Sequence, residues 1–572
     1  MEASRPIRKT LRPCVDESRN WDTTENLYIE GDNLDVLKLL QESYLGKVKL
    51  IYIDPPYNTG HDFIYRDDFA RAQAEEEAQM GVFDEETDEL LFENLETNGR
   101  FHSNWCSMIY PRLLVARSLL ASDGLLVISI DDNEINNIRM ICNEIFGASN
   151  LIAQMVWKSK PQGGNDNKHI VTEHEYVLVY AKDIQNVRIY GKQHTAEKYN
   201  KEDEYVAERG KYAAAKLDLS TLEYRINLDY PIECPDGSFV YPGNVSEVEH
   251  LRRKNGGNAP RDWQWRWSRE RFDKAKQIGL VEYRKNGDKW NVYTKEYERM
   301  DYDGNPISRT IKYRTILDFV TTINGTTELN TMLGNRIFPY PKPVELIKMI
   351  TAMCSSSFDI VLDFFSGSAT TAHAVMQLNA EDGGHRKFIM VQLPETCAEG
   401  TEAKKAGYQT ICDIGKERIR RAGDKIKSEM GLTAQTIDVG FRVLKLADSN
   451  MKPVYYAAGE YTQSMLAGLE SNIWEDRTDR DLLFSCLLEW GLPLSLPYSS
   501  EQISGCTMHT YNDGDLIACF DENVSETVIR AIADRHPLRV VFRDSSFASS
   551  PERINVEEIF KLLSPNTSVK VL

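Results

Sequence analysis

An apolar run that ends on two prolines is the feature that most constrains the fold of this chain. Residues 48–53 have the composition of a buried strand, and Asp54-Pro55-Pro56-Tyr57 follows at once. Two consecutive prolines cannot continue a central strand, because each lacks the N–H that a neighbouring strand needs. The chain must therefore turn there, which puts a polar side chain at a strand end, where open α/β sheets bind ligands.

Strands and helices alternate on both sides of a long middle segment. We predict strands at residues 27–30, 48–53 and 125–130 and one ending at Tyr180, with helices near 33–40, 104–121 and 133–146. Further on we predict strands at 359–363 and 388–393, with helices at 343–354, up to Leu378, and at 404–427. This alternation is typical of an α/β fold with a doubly wound, mostly parallel sheet.

The middle segment loses the alternation, because Gly, Asn and Pro clusters separate short, aromatic-rich pieces. The sequence therefore predicts one sheet split by an insertion. The predicted domains are residues 1–182 and 331–448 for the two halves of the sheet, 183–330 for the insertion, and 449–572 for a C-terminal mixed α/β domain. Residues 71–100, with ten acidic and two basic side chains, are predicted to form a solvated, mobile loop.

A glycine turn follows another predicted strand and opens a helix. It reads Asp363-Phe364-Phe365-Ser366-Gly367-Ser368-Ala369-Thr370-Thr371. Gly367 permits close approach of the backbone to a ligand, and a helix N-terminus favours an anionic group such as a carboxylate. No lysine follows the glycine, so the turn is not a nucleotide P-loop. Many such turns are only tight loops, but two strand ends of this kind in one sheet indicate a ligand site.

Together the two motifs resemble the DNA amino-methyltransferases of the beta class, in which the catalytic motif precedes the cofactor motif. The resemblance is carried by Asp54-Pro-Pro-Tyr-Asn-Thr-Gly60 and by Asp363-Phe-Phe-Ser-Gly-Ser-Ala-Thr-Thr-Ala-His-Ala374. Residues 30–33, 129–134, 175–182, 338–343, 386–395 and 540–545 agree with it. It covers nearly the whole chain and is closest to the modification subunit of type III restriction-modification systems.

The resemblance implies a Rossmann-like methyltransferase sheet with an inserted target-recognition domain. The activity it implies is site-specific adenine-N6 methylation of a flipped adenine in DNA, with S-adenosylmethionine as cofactor. The residues implied as catalytic are Asp54, Pro55, Pro56 and Tyr57, and those implied to bind the cofactor are Asp32, Lys342, Asp363, Phe364, Gly367, Ser368 and Glu395. Gln392 and Glu395 both suit a ribose diol, and the sequence does not choose between them. The family usually has glycine where this chain has Ala369, whose methyl group is expected to tighten the pocket slightly.

The residue types of the tetrapeptide suit this chemistry. An exocyclic amine is a poor nucleophile, because its lone pair is delocalised into the ring. The Asp54 carboxylate and the Pro55 carbonyl oxygen could each accept a hydrogen bond from one N–H group of the amine and so free that lone pair. The two prolines restrict the backbone and so hold both acceptors in place. Tyr57 offers a flat face on which an extruded base can stack. The alternative is a rigid strand-ending turn with a buried tyrosine.

One part of the insertion is basic in a chain whose formal net charge is −19. Residues 251–314 contain 17 Lys and Arg against 9 Asp and Glu, an excess of 8 positive charges. Basic side chains neutralise DNA phosphates, so we predict phosphate contacts from Arg252, Arg253 and Lys254. An arginine that reads a base edge is also expected, with Arg261, Arg266 and Arg269 as the candidates, and the sequence does not choose among them. The alternating Trp263, Trp265 and Trp267 are predicted to form one core face of a strand.

Two other functions are consistent with the sequence: a cytosine-N4 DNA methyltransferase, and a DNA-recognition subunit without catalysis. The intact Asp54, Tyr57 and glycine turn argue against the second.

The partners implied are double-stranded DNA, a homodimer and an ATP-dependent restriction subunit. We expect a cytoplasmic protein without a membrane segment, because the N-terminus has no apolar signal region. We expect no metal site, because the ten cysteines contain no C-x-x-C pair.

Overall fold

The protein is described here by a computed structural model. It describes residues 2–60, 63–65, 91–93, 99–161, 169–193, 198–220, 223–259, 261–307, 309–431, 436–452, 473–547 and 550–572. The chain divides into two compact units, Met1–Tyr190 with Arg314–Leu572, and Gly191–Tyr313. The smaller unit lies within the range predicted for the insertion. Most of the acidic segment 71–100 lies outside the described residues.

The strands of the described residues are numbered in chain order. They are β1 Lys9–Arg19, β2 Leu27–Glu30, β3 Val48–Ile53, β4 Phe63–Tyr65, β5 Leu91–Glu93, β6 Leu120–Ile130, β7 Leu151–Lys158, β8 His174–Ala181, β9 Lys192–Gln193, β10 Tyr212–Lys216, β11 Asp218–Ser220, β12 Ile232–Glu233, β13 Phe239–Val240, β14 Trp263–Trp265, β15 Val281–Asn286, β16 Lys289–Tyr297, β17 Thr310–Ile311, β18 Ile316–Leu317, β19 Ile360–Asp363, β20 Lys387–Gln392, β21 Phe441–Asp448, β22 Tyr498–Ile503, β23 Cys506–Tyr511, β24 Leu516–Cys519, β25 Arg539–Phe542 and β26 Ser568–Val571.

The α-helices of the same residues are numbered likewise. They are α1 Asn33–Tyr44, α2 Phe101–Leu119, α3 Ile135–Phe146, α4 Val206–Arg209, α5 Glu247–Arg252, α6 Arg269–Gln277, α7 Thr322–Leu333, α8 Val344–Cys354, α9 Thr370–Asp382, α10 Glu402–Lys405, α11 Ile411–Met430, α12 Asp479–Glu489, α13 Glu526–Ala533 and α14 Ser550–Leu563. None of these described helices is both long and apolar enough to cross a membrane.

A ten-stranded mixed sheet is the framework of the larger unit, in the order β1-β21-β2-β20-β19-β3-β6-β8-β7-β18. The strands from β21 to β6 are all parallel to their neighbours. Strands β1, β7 and β8 add antiparallel pairs. Every residue of β2 and β3 is buried, as expected for parallel strands covered on both faces. The predicted α/β class is confirmed.

The sheet interleaves strands from distant parts of the chain. Strand β19 lies between β3 and β20, and β20 lies beside β2. Strands β2 and β3 are therefore not neighbours and are joined through strands made from residues 360–392. One sheet is thus built from both alternating segments of the sequence.

A second sheet, β22-β23-β24-β25-β26, lies near the C-terminus. Its core includes Val528 and Phe560 from the two helices that accompany it. The segment before it is tied to the large sheet, because the Arg442 guanidinium donates hydrogen bonds to the carbonyl oxygens of Leu494 and Leu496, each at 3.0 Å. It belongs to the larger compact unit.

The smaller unit has its own core around short antiparallel strands. Trp265 and Trp267 are buried in that core, whereas Trp263 is 40% exposed. The predicted tryptophan core face is therefore right for two of the three residues and wrong for Trp263. Strand β14 is only three residues long, so the alternation that the prediction assumed does not extend over all three tryptophans.

Candidate functional site

Two predicted strand ends meet at one edge of the large sheet. Strands β3 and β19 are parallel neighbours, with Leu50 opposite Val361 and Ile51 opposite Leu362. Asp54 directly follows β3, and Asp363 ends β19. The tetrapeptide and the glycine turn therefore leave the sheet side by side, although they are about 300 residues apart in the sequence.

Asp54 belongs to a compact cluster of charged and phenolic groups. The Lys342 ammonium lies 3.0 Å from Asp54 Oδ1 and 3.3 Å from Glu175 Oε2. It also donates a hydrogen bond of 2.7 Å to the Tyr57 hydroxyl. That hydroxyl in turn donates to Glu175 Oε2 at 2.9 Å. One ammonium group thus balances two carboxylates and orients the tyrosine.

The ionisable groups of this cluster shift one another's pKa values. Burial raises the pKa of Asp54, and the Lys342 ammonium opposes that rise without cancelling it. Burial lowers the pKa of Lys342, but the Asp54 and Glu175 carboxylates outweigh it, so the pKa of the lysine is raised. Lys342 is therefore charged at neutral pH. The Asp54 side chain keeps 25% of its surface exposed, so an incoming molecule can reach it.

The backbone of the tetrapeptide is held from both sides. The Trp105 indole N–H donates to the Pro56 carbonyl oxygen at 2.7 Å. Asn58 has a left-handed φ of 60°, and its side-chain amide donates to Glu134 Oε1 at 2.6 Å. Glu134 is fully buried. These contacts fix the turn that places the Asp54 carboxylate and the Tyr57 ring.

The glycine turn is linked to an acid after the next strand. The Gly367 N–H donates to Gln392 Oε1 at 2.7 Å, and Gln392 Nε2 donates to Glu395 Oε1 at 3.2 Å. Burial raises the pKa of Glu395 to about 7. Because the carboxamide of Gln392 binds the turn, Glu395 is the better candidate to face a ligand. The sequence had left that choice open.

Asp363 is buried beneath the same turn. It accepts hydrogen bonds from the Phe365 N–H at 3.0 Å and from the Thr371 hydroxyl at 2.5 Å. Burial raises the pKa of Asp363 to about 7, against the effect of both donors. Ala369, at the start of α9, adopts left-handed backbone angles, φ 60° and ψ 40°. Glycine adopts this conformation without strain, which gives a backbone reason for the glycine usual at this position.

The start of α1 is joined to the turn through Asn33, the residue after Asp32. Asp32 Oδ1 accepts from the Leu34 N–H at 2.9 Å and so caps α1, while its Oδ2 accepts from Arg112 at 3.2 Å. The next residue, Asn33, donates to the Phe364 carbonyl oxygen at 2.8 Å. Phe364 as a whole is 1% exposed and packs in the main core.

Two of the residues at this edge were not predicted. Arg418, fully buried on α11, donates to the Ser368 hydroxyl at 2.9 Å and to the Thr370 hydroxyl at 2.6 Å. Nothing in the sequence near Arg418 indicates this role. Glu175 lies in a segment that supports the family resemblance, but its pairing with Lys342 depends on a contact between distant residues. Lys342, predicted beside the cofactor, lies against Asp54 and Tyr57.

The basic residues of the insertion differ in exposure. Arg252, Arg261, Arg266 and Arg269 are exposed, and Lys254 is half-buried. Arg269 donates to Asp273 and to the Pro231 carbonyl oxygen. Arg253 is 1% exposed and lies 3.3 Å from Asp229, so it cannot reach a phosphate from this position. The prediction that Arg253 contacts DNA is therefore wrong.

Comparison with known proteins identifies relatives of this chain. Residues 48–419 match the model of a DNA methylase family. The type III restriction-modification enzyme StyLTI Mod subunit of Salmonella typhimurium is 35% identical over 74% of this chain and 60% of its own length. The EcoPI Mod subunit of Escherichia phage P1 is 31% identical over 97% of this chain and 86% of its own length.

Two solved structures have limited similarity to this chain. M1.HpyAVI in complex with SAM is 13% identical, with a TM-score of 0.28 over 68% of this chain and 98% of that one. The cytosine-N4-specific PvuII DNA methyltransferase is 12% identical, with a TM-score of 0.31 over 70% of this chain and 96% of that one.

Proposed function

The chain belongs to the DNA methylase family, and we propose that it methylates N6 of adenine at specific DNA sites with S-adenosylmethionine. In this proposal it is the modification subunit of a type III restriction-modification system. The similarity to Mod subunits over 97% of the chain supports that role. The observation that carries the proposal is the Asp54 cluster beside the glycine turn at one sheet edge.

The residues present at that edge fit the cofactor. Gly367 has a φ of 49° and no Cβ atom, so a ligand can approach the backbone of the turn closely, while the Gly367 N–H is held by Gln392 Oε1. Glu395 is partly exposed and suits a ribose diol, as an acid after the second strand does in nucleotide-binding sheets. Asp363 and Arg418 hold the turn from below. Asp32 and Ser368 belong to the same edge and complete the proposed cofactor set.

The chain's own groups prepare the base for transfer. When bound, S-adenosylmethionine supplies an electrophilic methyl group on a sulfonium. The Asp54 carboxylate and the Pro55 carbonyl oxygen accept hydrogen bonds from the two N–H groups of the target amine. These hydrogen bonds draw the lone pair of the amine nitrogen out of the ring. Tyr57 stacks against the extruded base. Lys342 keeps Asp54 in the ionised form that accepts a hydrogen bond, and Pro56, held by Trp105, keeps the acceptors in place.

DNA recognition belongs to the basic insertion in this proposal. The candidates for phosphate contact are Arg252 and Lys254, and those for base contact are Arg261, Arg266 and Arg269. The substrate is double-stranded DNA in the cytoplasm. An ATP-dependent restriction subunit and a second copy of the chain complete the proposed assembly.

The test is to identify the methylated nucleoside. The purified protein is incubated with methyl-labelled S-adenosylmethionine and genomic DNA, which is then digested to nucleosides and separated. We expect N6-methyldeoxyadenosine. Asp54→Ala should lower its yield at least about 100-fold, the usual loss when one preorganised electrostatic group is removed. Cofactor affinity measured by calorimetry should change much less.

Two results would contradict this assignment. Labelled N4-methyldeoxycytidine would make the protein a cytosine methyltransferase of the same family. No labelled nucleoside from the wild-type protein, despite cofactor and DNA binding, would make it a recognition subunit without catalysis.

A further inference from the structure

We propose that helix α5 and the Trp263 indole form the surface that reads DNA bases, and that a buried Asp229–His250–Arg253 cluster positions it. The inference rests on the proposed function, in which the insertion binds DNA. All its residues lie in the compact unit Gly191–Tyr313.

The cluster consists of three ionisable side chains that are almost completely buried. Asp229 is 0%, Arg253 1% and His250 5% exposed. Asp229 Oδ1 lies 2.7 Å from His250 Nδ1, and its Oδ2 lies 3.3 Å from the Arg253 guanidinium and accepts from Tyr224 at 2.8 Å. Apolar side chains of similar volume often stabilise a core as well as such a buried ion pair does. The cluster is therefore better explained by the geometry that it fixes.

Arg253 joins the two parts of the proposed surface. It follows directly on α5, and its two terminal nitrogens donate to the Trp263 carbonyl oxygen at 2.9 Å and the Pro242 carbonyl oxygen at 3.2 Å. On the same buried face of the helix, the His250 ring lies 4.5 Å from the Tyr241 ring. One guanidinium thus ties the helix end to β14 and to the turn after Tyr241.

The opposite face of α5 exposes apolar side chains. Val248 is 78% and Leu251 49% exposed, and Arg252 lies on the same face because residues three and four apart are neighbours on a helix. Val and Leu methyl groups suit an apolar contact with a thymine methyl group in the major groove. Arg252, whose guanidinium donates two hydrogen bonds to Glu249, remains a candidate for phosphate contact. The exposed face of α5 thus offers the apolar contact that distinguishes thymine from the other bases.

The exposed Trp263 indole has a fixed position. It lies on the backbone of Gly243, where an added Cβ atom would be only 2.5 Å from the indole Cγ. Gly243 has a φ of 78°, so glycine is favoured there for two reasons. An indole held in this way can stack on a base or enter a groove without first losing side-chain freedom.

The charge of the compact unit favours DNA over a protein as the occupant. Gly191–Tyr313, with Glu247 and Glu249 of α5 included, has 23 Lys and Arg against 21 Asp and Glu, a net charge of +2 in a chain whose net charge is −19. A restriction subunit bound to this surface is the alternative that the experiment distinguishes.

The first experiment removes the exposed apolar groups without disturbing the core. The variants are Val248→Ser with Leu251→Ser, and Trp263→Ala. Methylated sites in a host genome that expresses each protein give the recognised sequence, and anisotropy measures binding to a duplex with that sequence and to a scrambled one. We expect discrimination between the two duplexes to fall about tenfold in each variant, as it does when one specific interaction with a base is removed. Cofactor affinity should stay unchanged.

The matched control is Leu538→Ser, which removes a side chain that is 57% exposed in the C-terminal region. It should keep the recognised sequence and the discrimination of the wild-type protein. If the α5 and Trp263 variants also keep both, the proposal is wrong. The same holds if they lose only the binding of a restriction subunit.

A second pair of variants tests the positioning role of the buried arginine. Arg253→Lys keeps a charge near Asp229 but cannot reach both carbonyl oxygens, whereas Arg253→Met loses both interactions. We expect methylation to spread to related sequences in both variants, more in Arg253→Met, with cofactor affinity retained. Unrelaxed specificity in a folded Arg253→Met would contradict the positioning role. If the wild-type protein methylates no DNA, the proposed function fails instead.

Discussion

Replacing Lys342 by methionine should raise the pH that methyl transfer requires. The ammonium lies 3.0 Å from Asp54 Oδ1 and 3.3 Å from Glu175 Oε2. It lowers the pKa of Asp54, which burial raises. Without the cation, the pKa of Asp54 rises further, and the carboxylate takes up a proton at a pH where the wild-type group is ionised. A protonated Asp54 is a poorer acceptor for the target amine, so the acid limb of the pH profile moves upward.

The size of the shift follows from the geometry. Removing one partner of a buried ion pair costs about 3–5 kcal/mol, and one pH unit corresponds to about 1.4 kcal/mol. Solvent screens this pair, because 25% of the Asp54 side chain is exposed. We therefore take about half of that free energy. The pH at which kcat/KM falls on the acid side of the profile should then move upward by about 1–2 pH units.

The assay is transfer of a tritiated methyl group to DNA across the pH range, with Lys342→Arg as the control. Arginine keeps the positive charge, so its acid limb should stay near that of the wild-type protein even if its rate falls. Calorimetry checks that Lys342→Met still binds the cofactor. If Lys342→Met and the wild-type protein lose activity at the same pH, Lys342 does not control the ionisation of Asp54.

Three further predictions concern stability and DNA binding. Ala369→Gly should raise the free energy of unfolding by about 1 kcal/mol, because alanine is strained at a φ of 60°. Urea denaturation measures this free energy, and an unchanged value would contradict such strain. The raised pKa of Asp363, about 7, means that the folded state binds a proton more tightly than the unfolded chain, so stability falls as the pH rises from about 4 to about 7. Asp363→Asn should make melting temperatures at about pH 5 and pH 8 differ less than in the wild-type protein, and an equal difference would contradict this origin. The double variant Arg252→Ala with Lys254→Ala should bind DNA with a weaker salt dependence. The slope of log affinity against log salt concentration should fall by about 0.9 for each phosphate that is no longer neutralised. An unchanged slope would place the phosphate-binding side chains elsewhere.

Local patterns allowed much of the framework to be predicted from the sequence. Residues 48–53 are apolar throughout except for Lys49 and end on two prolines, and they form β3 with the predicted bounds. The glycine turn follows β19 and opens α9, as predicted. In both places the cause lies in neighbouring residues: proline removes a donor, and a buried strand requires apolar side chains. The sequence carries that information directly.

Interactions between distant residues could not be predicted in the same way. Strand β1 contains proline, arginine and acidic residues, and it is a strand because β21 offers it a partner. Arg253 is as basic in the sequence as Arg252, yet only Arg253 meets a buried aspartate. Glu175 reaches Lys342 only in the folded protein. The composition gives the number of charged residues, whereas the role of each charged side chain depends on the groups that it contacts in the folded protein.

The interleaved sheet also has a consequence for synthesis of the chain. Lys9 and Asp448, which pair at the ends of β1 and β21, are 439 residues apart. At about 5–20 residues per second, a ribosome takes roughly 20–90 s to make the intervening chain. Until then β1 lacks its partner β21, and β2 has no partner before β20 is made, and unpaired strand edges favour aggregation. We therefore expect the first part of the chain to be prone to aggregation during translation, and a ribosome that stalls before β19 leaves a nascent chain whose tetrapeptide has no completed sheet to hold it.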